Sequence, residues 1–395
     1  MNDSSSRFSP SHDPAVSTPL LHEPSDADLP GRADSPRCEW DLQLSSVVSS
    51  SSDSASSVSD ILGAIEFDPL GTLLATGGIA RKIRIYRFDN LVRVPDETAS
   101  RESRVSLLDH STACDFYLCT PAKLSSLCWR PGSSGRVIGS GDYDGVVTEY
   151  DLEKRVPLFE RDEHGGRRVW TVDYSQDGLG ASGSDDGKVQ VWDSRCEGGT
   201  CVAVVQPGRG LSSPVCCVEF NPFDGNIMAA GCVDRKAYCY DMRNLAAPVH
   251  VLEGHGKTVT YVKFVDARTL VTASIDGCLK MWQLESSRAF RTYRGHVNSR
   301  SFVGLSVWRN GGLIGCGSED DRVFVYDKRW GEPIWVRGFG SRGGGGFVSS
   351  VCWRQVGEER CTMVASGSDG VLQVFVGKRS SSSSTTTSSS SPSFI

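Results

Sequence analysis

One pattern recurs seven times along the chain and leaves little freedom in the fold. Each copy runs as an apolar stretch, a turn, a small-residue stretch, a polar turn, and then alternating residues that end on an aromatic. Those aromatics are Tyr86, Tyr150, Trp192, Tyr240, Trp282, Tyr326 and Phe375, at spacings of 64, 42, 48, 42, 44 and 49 residues. A period of about 40–45 residues built from strand and turn signals marks a radial array of four-stranded units. The long first spacing predicts a polar insertion at about 89–120. Six of the seven aromatics have an aspartate six residues earlier: Asp144, Asp186, Asp234, Asp276, Asp320 and Asp369. The first copy has Ala80 there. In Lys188-Val189-Gln190-Val191-Trp192 the alternation puts Val189 and Val191 on one face of a strand. Asp186-Gly187 and Asp276-Gly277 supply the hairpin turns before such strands.

Trp192-Asp193, Gly254-His255 and Gly295-His296 match the signature of WD repeats. The expected fold is therefore all-β, a seven-bladed WD-repeat β-propeller over 61–378, with Asp186, Asp276, His255 and His296 bracing the blades through hydrogen bonds. The segment 38–60 is expected to hold a closing strand, Trp40 to Leu44, and then a Ser-rich linker. That strand pairs with the last repeat, because closing the ring removes exposed sheet edges. Residues 1–37 are rich in Ser, Asp and Pro, and 379–395 are almost wholly Ser and Thr. Both tails are expected to be disordered, since neither buries enough apolar surface to offset its ordering entropy.

Composition removes several functions. With 42 Lys and Arg against 48 Asp and Glu, a net charge of −6, the chain lacks the clustered positive charge that grips nucleic acid. No run of about 18 apolar residues occurs, so no membrane span is expected. The N-terminus lacks the basic-then-apolar pattern of a secretory signal. The 14 cysteines are scattered, several inside apolar runs (Cys128, Cys216, Cys217, Cys352), and no CxxC pair occurs. They read as buried structural thiols in a reducing compartment rather than as metal ligands. Phosphate-loop, HExxH and GxSxG motifs are missing; Gly256-Lys257-Thr258 lacks the upstream glycine, and Gly343 to Gly346 reads as a loop. The expectation is a non-enzyme with no cofactor and no metal. What remains is a rigid platform whose loops present aromatic and arginine anchors.

From Ser125 to Val376 the sequence resembles the WD-repeat domain of the plant light-signalling repressors, the constitutively photomorphogenic ubiquitin ligase and its suppressor-of-phytochrome partners. The resemblance rests on Lys123-Leu124-Ser125, Gly141-Asp142-Tyr143-Asp144-Gly145, Arg168-Val169-Trp170-Thr171-Val172-Asp173, Thr260-Tyr261-Val262-Lys263-Phe264 and Ser301-Phe302-Val303-Gly304-Leu305, and Gly63 to Phe88 continues it. No RING finger, coiled coil or kinase-like region accompanies these repeats. The short architecture is similar to the repressor of UV-B photomorphogenesis family. That resemblance implies a negative regulator that binds the UV-B photoreceptor and promotes its return to the inactive dimer. It also implies a nuclear and cytoplasmic location and contact with the related ubiquitin ligase complex.

The larger family binds a Val-Pro peptide flanked by acidic residues on the top of the propeller. Carried over by motif, the pocket residues are Lys123, Tyr143, Arg168, Trp170, Lys257 and Phe302, with one extra residue in this chain between Tyr143 and Trp170. Arg235 stands where the family commonly has histidine. Trp170, Phe302 and Tyr143 would form the apolar slot and the four cations a positive rim. Taken singly, each also reads as a solvated loop base or a core aromatic. Trp192-Asp193-Ser194-Arg195 matches the WDxR box of cullin–RING substrate receptors, in which Asp193 and Arg195 would dock the ligase adaptor; the plainer reading is a strand end with a surface arginine. Tyr240-Asp241-Met242-Arg243 and Tyr326-Asp327-Lys328-Arg329 are close variants. Arg93-Val94-Pro95-Asp96 resembles the Val-Pro ligand itself, and also reads simply as loop.

Overall fold

The computed structural model describes residues 39–50, 60–92, 105–196, 200–208, 213–340 and 345–379. Both tails, apart from Arg379, and the Arg93 to Asp96 segment lie outside the described residues, as does part of Gly343 to Gly346. The described chain forms seven sheets, six antiparallel ones of four strands and one of five whose added edge strand is parallel. Each repeat builds one sheet, and the sheets are the seven blades of a β-propeller. The innermost strands are Leu62–Phe67, Leu124–Trp129, Val169–Tyr174, Val215–Phe220, Val259–Asp266, Leu305–Trp308 and Val348–Arg354. Each of them contacts the next, and the last returns to the first. The core lies between blades, where the repeat aromatics Tyr86, Trp192, Tyr240, Trp282, Tyr326 and Phe375 are buried.

An innermost strand has a free edge facing the central channel, and its backbone groups need partners. Side chains of the preceding blade supply several. Ser126 accepts from the Val172 amide at 3.0 Å, and Ser306 accepts from the Trp353 amide at 2.9 Å. Asp173 accepts from Phe220 N at 2.7 Å, and Glu219 accepts from Phe264 N at 2.5 Å.

The ring is closed by Trp40–Ser49, which pairs antiparallel with the last strand, Leu372–Arg379, from Trp40↔Arg379 to Val48↔Leu372. It is longer than Trp40 to Leu44, because a bulge between Leu44 and Ser46 resets the alternation and Val48 then enters the core. The insertion also differs from its sequence reading. Its last part, Cys114–Cys119, is the outer strand of the first blade, and Ser106–Asp109 pairs in parallel with Ser46–Ser49 as a fifth strand on the closing blade. His110 fastens this seam. Its Nε2–H must donate to the Gly370 carbonyl at 2.9 Å, which can only accept, so Nδ1 accepts from the Tyr86 hydroxyl at 2.8 Å. Ser46 adds a bond to the Leu91 carbonyl at 2.6 Å.

The repeat signature acts as a brace. In the fifth blade His255 Nδ1 bonds Asp276 at 3.0 Å and its Nε2 meets Thr272 at 2.7 Å, while Trp282 Nε1 donates to Thr272 at 2.8 Å. Burial opposes the Asp276 charge. The His255 contact and the Gly256 and Cys278 amides outweigh it and hold the carboxyl at about 2. The third blade repeats this with His164, Asp186 and Ser182, although no Gly-His pair announces His164. His296 departs from the pattern: Cys316 stands where the fifth blade has Thr272, and His296 Nδ1 meets the Tyr326 hydroxyl at 3.0 Å instead of bonding Asp320.

Candidate functional site

The loops entering each innermost strand and the hairpin turns between second and third strands share one end of the propeller. Tyr143 stands in such a hairpin of the second blade, its amide held by the Lys123 carbonyl at 2.9 Å. Trp170 is the second residue of the innermost strand of the third blade, and Phe302 sits in the loop entering the sixth. Trp170 and Phe302 stack at 4.6 Å with 12° between planes, and Tyr143 tilts against Trp170 at 6.3 Å. Rings stacked this closely leave no gap for a ligand between them. They make a continuous aromatic wall, half-buried, beside the mouth of the central channel.

Arg168 lies over both the Tyr143 ring, at 4.1 Å, and the Trp170 ring, at 4.6 Å. Its charge is thus held by cation–π contact beside the wall. The structure therefore brings Tyr143, Arg168, Trp170 and Phe302 together, with Lys123 joined through its backbone. Arg235 and Lys257 are exposed on the same end, in the hairpin of the fourth blade and the loop entering the fifth, but do not line the channel mouth. Arg235 adopts a left-handed backbone, φ 75°.

Three further residues complete the arrangement that the sequence did not single out as site residues, although Tyr261 stands in one of the matched motifs. Asp185 accepts from Trp170 Nε1 at 2.6 Å and fixes the indole. Tyr261 meets Phe302 edge-on at 5.8 Å. Glu319 accepts from Ser299 Oγ at 2.6 Å and from the amides of Arg300 and Ser301 at 2.9 and 2.7 Å, pinning the loop that carries Phe302. Burial opposes the charge of Glu319, yet these three donors hold it at about 2. Asp185 and Glu319 act within their own blades, 15 to 20 residues from their partners, and Tyr261 reaches Phe302 from the neighbouring blade, so none is reported by a local motif.

Behind the wall the channel encloses a cavity of about 720 Å³. Six innermost strands place Glu66, Cys128, Asp173, Glu219, Lys263 and Cys352 at one equivalent position, the residue before a buried aromatic. Glu219 is shared by Lys263 at 3.2 Å and Arg309 at 3.1 Å. The Cys128 thiol donates to Asp173 at 3.4 Å. Burial, reinforced by the Glu219 charge, pushes Asp173 up to about 7. Burial likewise raises the Cys128 and Cys352 thiols well above their usual range, so neither is a ready nucleophile. Among the described residues no group of His, Cys, Asp or Glu has an arrangement able to hold a metal ion.

At the opposite end, Arg195 Nε and Nη2 donate to Asp193 at 2.9 and 2.7 Å. Arg243 with Asp241 and Arg329 with Asp327 repeat the same fork. The WDxR box thus has a local structural use on three blades, and Arg195 remains exposed.

Comparison with known proteins agrees with this architecture. Over 330 residues the chain is 62% identical to WD repeat-containing protein RUP2 of Arabidopsis thaliana, covering 81% of this chain and 89% of that protein. Over 353 residues it is 60% identical to RUP1 of the same plant, covering 87% of each. The chain belongs to the RUP family. RUP proteins are in turn relatives of a larger group. The E3 ubiquitin-protein ligase COP1 of Arabidopsis thaliana is 36% identical over 327 residues, which cover 80% of this chain and only 45% of the ligase. The family model for the nucleolar protein 10-like N-terminal domain, a β-propeller, also matches residues 170–327. This RUP chain is thus a WD-repeat regulator related to the E3 ubiquitin-protein ligase COP1, on a fold that is typically non-catalytic.

Proposed function

We propose that the chain is a non-enzymatic negative regulator of UV-B signalling. In this reading it binds the UV-B photoreceptor, in part through a Val-Pro peptide of the photoreceptor tail, and promotes re-dimerisation. The observation that carries the reading is the stacked Trp170–Phe302 wall, capped by Arg168 over Tyr143 and Trp170. Valine and proline lie flat against such a wall, and a polyproline-like segment loses little entropy on docking. Arg168 and Lys123, with Arg235 and Lys257 further out on the same end, favour acidic residues flanking the peptide. A second contact to the photoreceptor core, selective for the dimer-competent arrangement, would shift the monomer–dimer equilibrium. The chain acts in nucleus and cytoplasm, where photoreceptor and related ligase meet it. The test mixes purified photoreceptor monomer with this chain and follows dimer recovery in time. Faster recovery that is lost with Trp170→Ala is expected. A bound chain that leaves recovery unchanged overturns the proposal.

A second reading draws on the exposed guanidinium of Arg195 at the opposite end: docking to a cullin–RING ligase adaptor through Asp193 and Arg195. Loss of adaptor capture with Arg195→Ala, but not with Arg243→Ala at the equivalent fork, supports it. Equal capture by both variants and the parent discards it.

A further inference from the structure

Among the described residues every blade ends in an outer strand whose far edge has no further strand on it, and such edges join other strands unless they are blocked. Most outer edges of this propeller carry a block. Cys114–Cys119 has Asp115, Val156–Arg161 has Pro157, Glu160 and Arg161, and His250–Glu253 has Glu253. Arg288–Tyr293 has two arginines, Pro333–Gly338 has Pro333 and Arg337, and the added strand Ser106–Asp109 ends in Asp109. Among the described outer strands, Thr200–Val205 of the third blade alone has neither a charge nor a proline. The sequence around it, from Gly198 to Gly208, has no charged residue. Its Val202 and Val204 are 54% and 53% exposed, and Val202 is the bulge residue skipped where the strand pairs with Val189–Asp193, a bulge that Cys114–Cys119, Val156–Arg161, Arg288–Tyr293 and Pro333–Gly338 carry at the same place, so charge and proline are what set this edge apart. The closing blade shows that this ring accepts an extra outer strand, since Ser106–Asp109 is added there.

We infer that Thr200–Val205 is a self-pairing edge through which two copies of this chain associate by antiparallel strand addition. The strand is complementary to itself. A two-fold axis through Ala203 sets Val202 against Val204 of the partner subunit, and Val204 against Val202 of the partner subunit, on one face. Such β-branched cross-strand pairs are favourable. The contact is isologous and closes on itself, so it gives a dimer rather than a filament. No like charges meet across it, whereas the same operation on Arg288–Tyr293 would bring four arginines together. The paired strands bury less than the roughly 1,200 Å² of a stable interface, so the dimer forms reversibly at high concentration.

Sedimentation equilibrium of the full chain at rising concentration tests this. A reversible monomer–dimer equilibrium is expected, with Val202→Lys weakening dimerisation by about ten-fold or more, because a lysine then faces an apolar partner strand. Val202 is exposed, so this variant keeps its fold, to be checked by an unchanged melting temperature. In a second measurement Ala203→Cys is oxidised with copper(II)–phenanthroline, two copper(II) ions taking one electron each while two thiol protons pass to solvent. Directly opposed strand positions sit roughly 4.5–5.5 Å apart, within disulfide reach, so a bond between position 203 of two copies is expected by peptide mapping. A chain that stays monomeric overturns the inference and leaves the edge to another protein's segment. A dimer insensitive to Val202→Lys and lacking the 203–203 bond overturns it too.

Discussion

Replacing Asp173 by asparagine should stabilise the propeller at alkaline pH and do little at acidic pH. In the native channel Asp173 holds its proton up to about pH 7, chiefly through burial and secondly through the nearby charge of Glu219. In the unfolded chain the carboxyl loses that proton at about 3.9. Between these values the native state binds more protons, so its stability falls as pH rises. From about pH 5 to pH 8 the loss spans roughly two pKa units, which at about 1.4 kcal/mol each sets a ceiling of almost 3 kcal/mol. Asp173 lines the channel cavity and is only partly buried there, and screening reduces this to about 1–2 kcal/mol. Asparagine keeps an acceptor for the Phe220 amide, now at 2.7 Å from the carboxylate, and cannot ionise. Denaturant midpoints of parent and variant, compared at each pH, isolate the effect from all other titrations. The variant should gain about 1–2 kcal/mol more at pH 8 than at pH 5. An equal shift at both values would refute the reasoning.

Other expectations rest on the braces and the seam. Asp276→Ala strands His255 and the Gly256 amide, and should cost about 2–3 kcal/mol in chemical denaturation; no change in midpoint would mean that the brace is redundant. At Gly180 an added Cβ would stand 2.3 Å from the Trp192 indole, so Gly180→Ala should lower stability by about 1–3 kcal/mol, and an unchanged melting temperature contradicts that packing. His110→Ala removes both bonds that tie Tyr86 to Gly370, and hydrogen exchange should accelerate first in Trp40–Ser49 and Leu372–Arg379. Uniform acceleration around the ring would deny His110 a local role.

The seven-fold repeat was legible because each copy carries its own strand, turn and aromatic signals. Asp186, Asp276 and His255 could be read as braces for the same reason. His296 was read in the same way and does brace its blade, but its partner, the Tyr326 hydroxyl, was not legible, since it depends on Cys316 replacing the threonine found in the fifth blade. The closing strand was legible from Trp40 and Leu42, but its continuation through Ser45 to Ser49 was hidden by serines that a bulge turns to use. The reach of Ser106–Asp109 to the closing blade has no local signal, because parallel pairing across such a distance is decided by the assembled ring. Among the site residues, Tyr143, Arg168, Trp170 and Phe302 came from matched motifs. Asp185 and Glu319 emerged only when hairpin and entry loop of one blade came together, and Tyr261 only when neighbouring blades packed. The channel layer from Glu66 to Cys352 was present in the sequence as a column one residue before each aromatic, yet only closure of the ring turns that column into a coupled cluster.

In the proposed function the Trp170–Phe302 wall recognises a Val-Pro segment. Calorimetric titration of the full chain with a synthetic acidic peptide containing Val-Pro tests it most directly, run beside Trp170→Ala. Removing the indole takes away the stacked surface under the ligand and the platform for Arg168. The predicted loss is about 2 kcal/mol or more, roughly a thirty-fold weaker dissociation constant, with the fold retained. Undiminished peptide affinity in a folded Trp170→Ala variant would contradict the account.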